Sequence, residues 1–353
     1  MSRNVLKTVA RHNSNLWLNR FVWLTAALTL FLICSGGMVT SKGVGLAVPD
    51  WPTTFGYNMF LFPVSQWVGG IFFEHTHRLI ASVVGLLTIV LAIWLWRAES
   101  RKWLRGLGWW ALGTVVLQGV LGGLRVTLLK DEIGIFHALL AQAFLCLLVF
   151  IALATSPFWC DADRTQVRSA LVWLPLATTI LIYAQLGLGA TMRHQHRDLA
   201  ILDFPTAYGE IIPSVSTEKL VVINKWREAR ALSEVTAGHI WLQMAHRLVA
   251  VLIAAGVIGY WVAVRRRPER GDGLLRNLSA FWVFLVACQL TLGVWTIWSN
   301  KAADIATAHV AVGATMLALG VGICAIALRF RGVGNGVVPI RQPQRLPEEV
   351  HAR

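Results

Sequence analysis

Charge is scarce in this chain: Asp, Glu, Lys and Arg make up only 14% of its 353 residues, where a soluble domain carries about 25%. That shortage, set beside 56% hydrophobic residues, excludes the disordered and fibrous classes. Acidic residues are scarcer than basic ones, 18 against 32. The resulting net charge of +14 would suit nucleic acid if the basic residues shared one face. They fall instead between long apolar runs, which makes them topology signals and leaves no nucleic-acid partner to expect. Cysteine is sparse as well. Cys34, Cys146, Cys288 and Cys324 lie inside apolar runs, Cys160 does not, and no CxxC or CxxCH occurs. That argues against a disulfide framework, a zinc knuckle or a covalently attached c-type heme. The thiols read as small apolar helix residues.

What the chain does have is apolar length. Spans of about 20 apolar residues, enough to cross a bilayer, are expected at 19–40, 74–96, 107–128, 134–156, 170–192, 238–264, 277–298 and 303–329. The first is too long for a signal peptide and has no small-residue cleavage site. The 17 Trp suit membrane interfaces. The fold class is therefore all-α integral membrane, eight helices embedded in lipid.

Orientation follows from short-loop basic residues. One side receives Arg3, Lys7, Arg11 and Arg20, then Arg97, Arg101, Lys102 and Arg105, then Arg164 and Arg168. It also receives Arg265, Arg266, Arg267 and Arg270, and finally Arg329, Arg331, Arg341 and Arg345. That side is expected to be cytoplasmic, with the 1–18 segment and the 330–353 tail on it. The long connections 41–73 and 193–237 then lie outside. Each can hold a short helix on the membrane, and 214–236 has an amphipathic stretch.

The chain also repeats. DWPTTFG at Asp50–Gly56 matches DFPTAYG at Asp203–Gly209, and Gly36 matches Gly189 at the same offset. EHTHRLIA from Glu74 matches QMAHRLVA from Gln243; LQGVLGG from Leu117 matches CQLTLGV from Cys288, with Gln118 on Gln289; EIGIFH from Glu132 matches DIATAH from Asp304. Matches in one order, with offsets that grow only by loop insertion, predict two pseudo-symmetric four-helix bundles, 19–156 and 170–329. Four helices return the chain to its starting side, so the repeat is parallel and its axis lies along the membrane normal.

The repeat selects residues. Of ten histidines, two pairs match between halves: His77 with His246, and His137 with His309. They fall on the second, sixth, fourth and eighth spans, which all run inward, and share a depth in the outer part of the bilayer. Two imidazoles on facing helices can clamp a heme, one axial nitrogen from each side. Zinc or copper usually needs three or four close ligands, and hydrogen bonding between helices is the plain alternative. His75 and His239 lack a matched partner and read as interfacial side chains; His194 and His196 lie in the outer loop and receive no role.

One position breaks the symmetry. Glu74 precedes His77 by one turn and shares its helix face, whereas its counterpart is Gln243. A carboxylate near membrane depth is by default a functional hypothesis; the plain alternative is a water-facing helix start. Arg78 and Arg247 follow the repeated histidines. They can pair with heme propionates or snorkel outward. Lys42, Arg125 and Arg193, near outer helix ends, are further candidates for the propionates. Paired histidines suit a di-heme electron-transfer cytochrome of the quinol-oxidising kind equally well, and a heme carrier is a third class. A carboxylate in one half only separates these from an enzyme.

These stretches carry a resemblance. SKGVGLAVPDWPTTFG, EHTHR, GIFHALLAQ, QMAHR and TAHVAVGA resemble the heme A synthase (CtaA/Cox15) family over nearly the whole chain. The resemblance implies an oxidoreductase with eight helices in two halves. It implies a C-terminal heme b held by His246 and His309, and an N-terminal site where His77 and His137 flank the substrate heme O with Glu74 close to the reacting group. The reaction it implies is oxidation of a ring methyl to a formyl group through a hydroxymethyl intermediate. Heme O synthase and cytochrome oxidase assembly factors are the partners to expect, with an electron acceptor the residues do not identify. Some members carry an outer-loop cysteine pair roughly where this chain has Val48 and Thr54, so thiol-dependent delivery is not expected here. A short N-terminal segment without a long Arg- and Ser-rich transit peptide points to a bacterial inner membrane.

Overall fold

The computed structural model describes residues 15–161, 170–195, 197, 199–266 and 273–330. It is all helix but for two isolated bridges. The spans are α1 (Leu16–Ser41), α2 (Gly69–Ala98), α3 (Lys102–Leu128), α4 (Asp131–Thr155), α6 (Ala170–His194), α8 (Ala237–Arg266), α9 (Gly273–Trp298) and α10 (Ala303–Phe330). Two short helices join them, α5 (Pro157–Asp161) and α7 (Thr217–Glu228). Eight helices are long and apolar enough to cross a membrane among the described residues, and the chain is a multi-pass membrane protein. Helices meet the bilayer's demand that every backbone polar group find its partner internally. Large apolar side chains such as Trp110, Leu86 and Ile180 stay exposed on the outer surfaces, where lipid replaces water.

α1, α2, α3 and α4 pack neighbour on neighbour and close a four-helix ring, with α1 against α4. α6, α8, α9 and α10 close a second, with α6 against α10. Each ring has its own core: Val22, Leu91, Leu104 and Leu148 in the first, Val257, Leu275, Trp282 and Ile323 in the second. The seam between them is α1 on α10, α10 on α4 and α4 on α6. α4 and α10 thus sit centrally, which is why they are the most buried spans.

At one set of helix ends several arginines lie over Trp rings: Arg20 on Trp17, Arg101 on Trp103, Arg265 on Trp261 and Arg329 on Trp159. Arg3, Lys7, Arg11, Arg164, Arg168, Arg267, Arg270, Arg331, Arg341, Arg345 and His196 lie outside the described residues, as does the 331–353 part of the tail.

The outer connections differ. The second holds α7, capped by Ser216 accepting from the Lys219 N–H, and covers a small core of Ile201, Ala207, Ile223, Val235 and Ile240. The first was expected to have room for a helix too. It forms only two 3₁₀ turns, Met59–Leu61 and Val64–Gln66, because Pro63 and the aromatic run around it fold back onto α2.

Candidate functional site

All four repeated histidines are seated the same way. A methyl group added to Gly36 of α1 would lie 2.9 Å from His77 Cε1, and one on Gly122 of α3 would lie 3.2 Å from His137 Cε1. In the second ring the same holds for Gly189 of α6 against His246 (3.5 Å) and Gly293 of α9 against His309 (3.2 Å). Each imidazole therefore rests edge-on against a helix that can come close only because it presents glycine. The Nδ1 atoms of all four are buried without a hydrogen-bond partner, an arrangement that costs free energy unless something else is bound. His77 and His137 lie within electrostatic range of one another, as do His246 and His309. The fold thus pairs His77 with His137 and His246 with His309. No cluster of three His, Cys, Asp or Glu suited to a metal ion occurs among the described residues. Two imidazoles with unused ring nitrogens are the donor set a heme requires, since the macrocycle brings four nitrogens of its own; these residues fit that group.

Glutamines brace the pairs. Gln118 Nε2 donates to the His137 carbonyl oxygen and Gln185 Nε2 to that of His246, each at 2.8 Å. Gln289 places its amide 3.4 Å from His309 Nε2.

Glu74 is buried on α2. Its Oε2 accepts the Val48 N–H at 2.9 Å and its Oε1 accepts from Arg78 Nη2 at 2.8 Å. Gln243 occupies the same place in the second ring. There its Oε1 accepts the Ile201 N–H at 2.8 Å and its Nε2 donates to the Ile201 carbonyl oxygen at 3.1 Å. Val48 and Ile201 are themselves a repeat pair. The amide and the carboxylate do the same anchoring work, so the anchor alone does not call for a charge.

Arg78 and Arg247 neither snorkel nor point away from the protein. Arg78 donates to the carbonyl oxygens of Asp50, Thr53 and Val48. Arg247 donates to those of Asp203, Thr206 and Pro205. Both fasten the outer loop to the helix that carries the histidine. The loop is in turn organised by its aspartate. Asp50 accepts from the Phe55 and Gly56 N–H groups and the Thr53 hydroxyl; Asp203 does so from Tyr208, Gly209 and Thr206. Both loops turn at a left-handed residue followed by a left-handed glycine, Phe55–Gly56 and Tyr208–Gly209. The glycine makes that turn inexpensive.

Among the remaining candidates, Lys42 lies over the Phe73 ring. Arg125 packs on Gly45 of the first loop and Gly134 of α4, within electrostatic range of His77 and His137. Arg193 leaves its own ring to donate to the Gly37 carbonyl oxygen and the Ser41 hydroxyl of α1. His194 ends α6 rather than lying in a loop, and its buried ring rests on Gly134 of the other ring. His75 is not interfacial. It is fully buried, with Nδ1 3.2 Å from Thr54 Oγ1 and the Phe62 and Trp67 rings against it. His239 is partly buried and accepts the Thr236 N–H, capping α8.

The four glycine seats went unnoticed as functional positions in the sequence, although each stands at a repeat position. Cys34, Cys146, Cys288 and Cys324 are free thiols within spans.

The model of the COX15-CtaA family, described as cytochrome oxidase assembly protein, matches residues 19–321. Among curated proteins, the heme A synthase of Lysinibacillus sphaericus is 29% identical over 82% of this chain and 90% of its own length. That of Rhodopseudomonas palustris is 27% identical over 85% of the chain and 88% of its own length. That of Geobacillus kaustophilus is also 27% identical, over 81% and 85%.

Proposed function

The chain belongs to the COX15-CtaA family of cytochrome oxidase assembly proteins, and from that premise we propose that it is a heme A synthase, an oxidoreductase that converts heme O to heme A. The observation that carries the reading is the asymmetry between two otherwise equivalent sites. Glu74 holds Val48 just as Gln243 holds Ile201, and Arg247 fastens its loop without an acid beside it. The charge at Glu74 is thus surplus to the architecture, which favours a chemical role. A pure electron conduit needs no carboxylate in one half only.

In this reading His77 and His137 would flank heme O, and His246 and His309 would hold a heme b. When bound, the second heme supplies a one-electron relay. Turning a ring methyl into a formyl group removes four electrons, which pass to an external electron acceptor, in two two-electron steps through the hydroxymethyl compound, with release of protons. The methyl lies on the ring edge, so the group that serves it would stand beside a histidine that holds the ring, and one helical turn from His77 puts Glu74 there. Its Oε1, shared with Arg78, accepts a released proton and holds the incoming hydroxyl. Arg78 keeps that oxygen aimed and, with Val48, closes the loop over it. Arg125 lies within electrostatic range of His77 and His137, and Arg193 of His309; Arg125 is the propionate partner of the first site. Arg78 and Arg247 are loop fasteners first. The chain then divides into a substrate half, 19–156, and a heme b half, 170–329; two separate cores support the division into halves. Both termini face the cytoplasm of a bacterial inner membrane, with the Asp50 and Asp203 loops outside.

The test is extraction and mass analysis of non-covalent heme from bacteria with and without this gene. Heme A is expected only with it, and heme O is expected to accumulate without it. An unchanged heme A content in the deletion strain rejects the synthase reading.

A further inference from the structure

Where the two rings meet, one arginine stands between the two histidine pairs. Arg193 belongs to α6 of the second ring, yet its Nη2 donates to the Gly37 carbonyl oxygen and the Ser41 hydroxyl of α1 in the first. Gly36, one residue back, is the seat of His77. Gly37 faces the other way: a methyl added there would lie 3.3 Å from Thr307 Cγ2 of α10. Ser41 Oγ lies 3.4 Å from Thr307 Oγ1, and Thr307 precedes His309 by two residues. One turn of α1 thus touches both sites, and the Arg193 guanidinium is bonded to that turn.

Architecture does not ask for this charge. The repeat places Thr40 at the equivalent position of the first ring and Ala190 at the place of Gly37, so the contact has no counterpart across the pseudo-axis. Charge at membrane depth is expensive and marks function by default. Arg193 lies within electrostatic range of His309, while Arg125 and Arg78 stand in that relation to His77. A fixed positive charge in a low-dielectric interior favours whichever neighbouring state carries less positive charge. For a heme, that is the ferrous state.

We propose that Arg193 sets the reduction potential of the heme held by His246 and His309, raising it by placing a fixed positive charge at the crossing between the two rings. The couple concerned is Fe(III) plus one electron giving Fe(II) at that heme. The inference rests on the heme assignment above.

The experiment is a mediated redox titration of the purified full chain, followed in the optical band of its bis-imidazole heme. Arg193→Gln keeps a polar side chain, two bonds shorter than the guanidinium arm, and removes the charge. It is expected to shift the ferrous-to-ferric ratio at fixed potential about tenfold toward ferric, a fall of about 59 mV for one electron. Arg193→Lys keeps the charge with different geometry and is expected to stay near the unaltered chain. An unmoved potential in Arg193→Gln overturns the inference, and so does an equal fall in both variants, which would make packing the cause. If the bis-imidazole band survives His309→Ala, the heme assignment fails, and the inference falls with it; a band lost in His309→Ala with an unmoved potential in Arg193→Gln leaves the assignment standing and rejects the inference alone.

Discussion

The first half fastens its outer loop with a carboxylate, the second with an amide, and around them nearly every other contact is duplicated. Both loops turn about an aspartate, both are held by an arginine one residue after a histidine, and both histidines rest on a glycine of the preceding span. The departures cluster. Glu74, His75 and Thr54 in the first half face Gln243, Met244 and Ala207 in the second. The His75–Thr54 polar contact is replaced by apolar packing of Met244 on the cluster that contains Ala207. Duplication fixes what a paired-histidine site needs. The departures mark what one site does and the other does not: a carboxylate and a second imidazole, Glu74 and His75, stand on the histidine helix of one pair only.

The largest way to break this comparison is to remove ligands half by half. His246→Ala or His309→Ala should abolish the six-coordinate b-type spectrum of the purified protein, an all-or-none effect, while the chain still inserts in the membrane. His77→Ala or His137→Ala should leave that spectrum and remove the formyl product. A spectrum that survives both second-half changes would show that the pairs are not what distinguishes the halves.

A smaller but sharper change is reciprocal exchange of the anchors. Gln243 shows that an amide holds the loop, so Glu74→Gln should fold and retain heme at both sites. Loss of one positioned acid–base group costs ~100- to 10,000-fold in rate; heme O or its hydroxymethyl form should accumulate in proportion. Gln243→Glu should not create a second active site, because the heme there is a relay and not a substrate. Product analysis of the two strains decides it: near-normal heme A in Glu74→Gln takes the carboxylate out of the mechanism.

How much of this was legible in the sequence depended on what kind of contact carried it. The spans were, because hydropathy over twenty residues is a strong signal; 238–264 became Ala237–Arg266. The second span was drawn from 74 but begins at Gly69, since its first turn is spent on residues that cover the loop rather than cross lipid. The histidine pairs were legible through the repeat, and the amphipathic stretch at 214–236 contains α7. The arginines were not. Arg78 and Arg247 bond to backbone carbonyl oxygens, which every residue possesses, so nothing in the sequence names those partners. His75 was read as interfacial because its burial comes from Phe62 and Trp67 folding back from a loop, a tertiary event without a periodic trace. Arg193 could be placed at a helix end, but its crossing to Gly37 depends on how two rings meet.

The smallest expected effect concerns the loops themselves, and it turns on what backs them. Partial burial would push the Asp50 carboxyl up, but hydrogen bonds from the Gly56 N–H, the Thr53 hydroxyl and the Phe55 N–H outweigh it and hold the group below the ordinary value of 3.8. Asp203 behaves alike, through Gly209, Thr206 and Tyr208. A carboxyl whose value is lower folded than unfolded binds fewer protons in the folded loop, so its contribution is fully present above the ordinary aspartate range and is lost as pH falls below it. Both loops should therefore loosen under acid. Asparagine can accept with one atom only, so Asp50→Asn or Asp203→Asn should lose one or two hydrogen bonds, about 1–2 kcal/mol of local stability, together with the acid dependence. The second loop also rests on the core of Ile201, Ile223 and Ile240 and on buried Arg227, which donates to the carbonyl oxygens of Leu199, Ala200 and Ser233. The first has no such helix behind it. Amide-exchange protection, corrected for intrinsic rates, should fall more at Phe55 and Gly56 in Asp50→Asn than at Tyr208 and Gly209 in Asp203→Asn. Equal losses would mean that α7 and its core do not steady the second loop, and that the two halves differ less in stiffness than in chemistry.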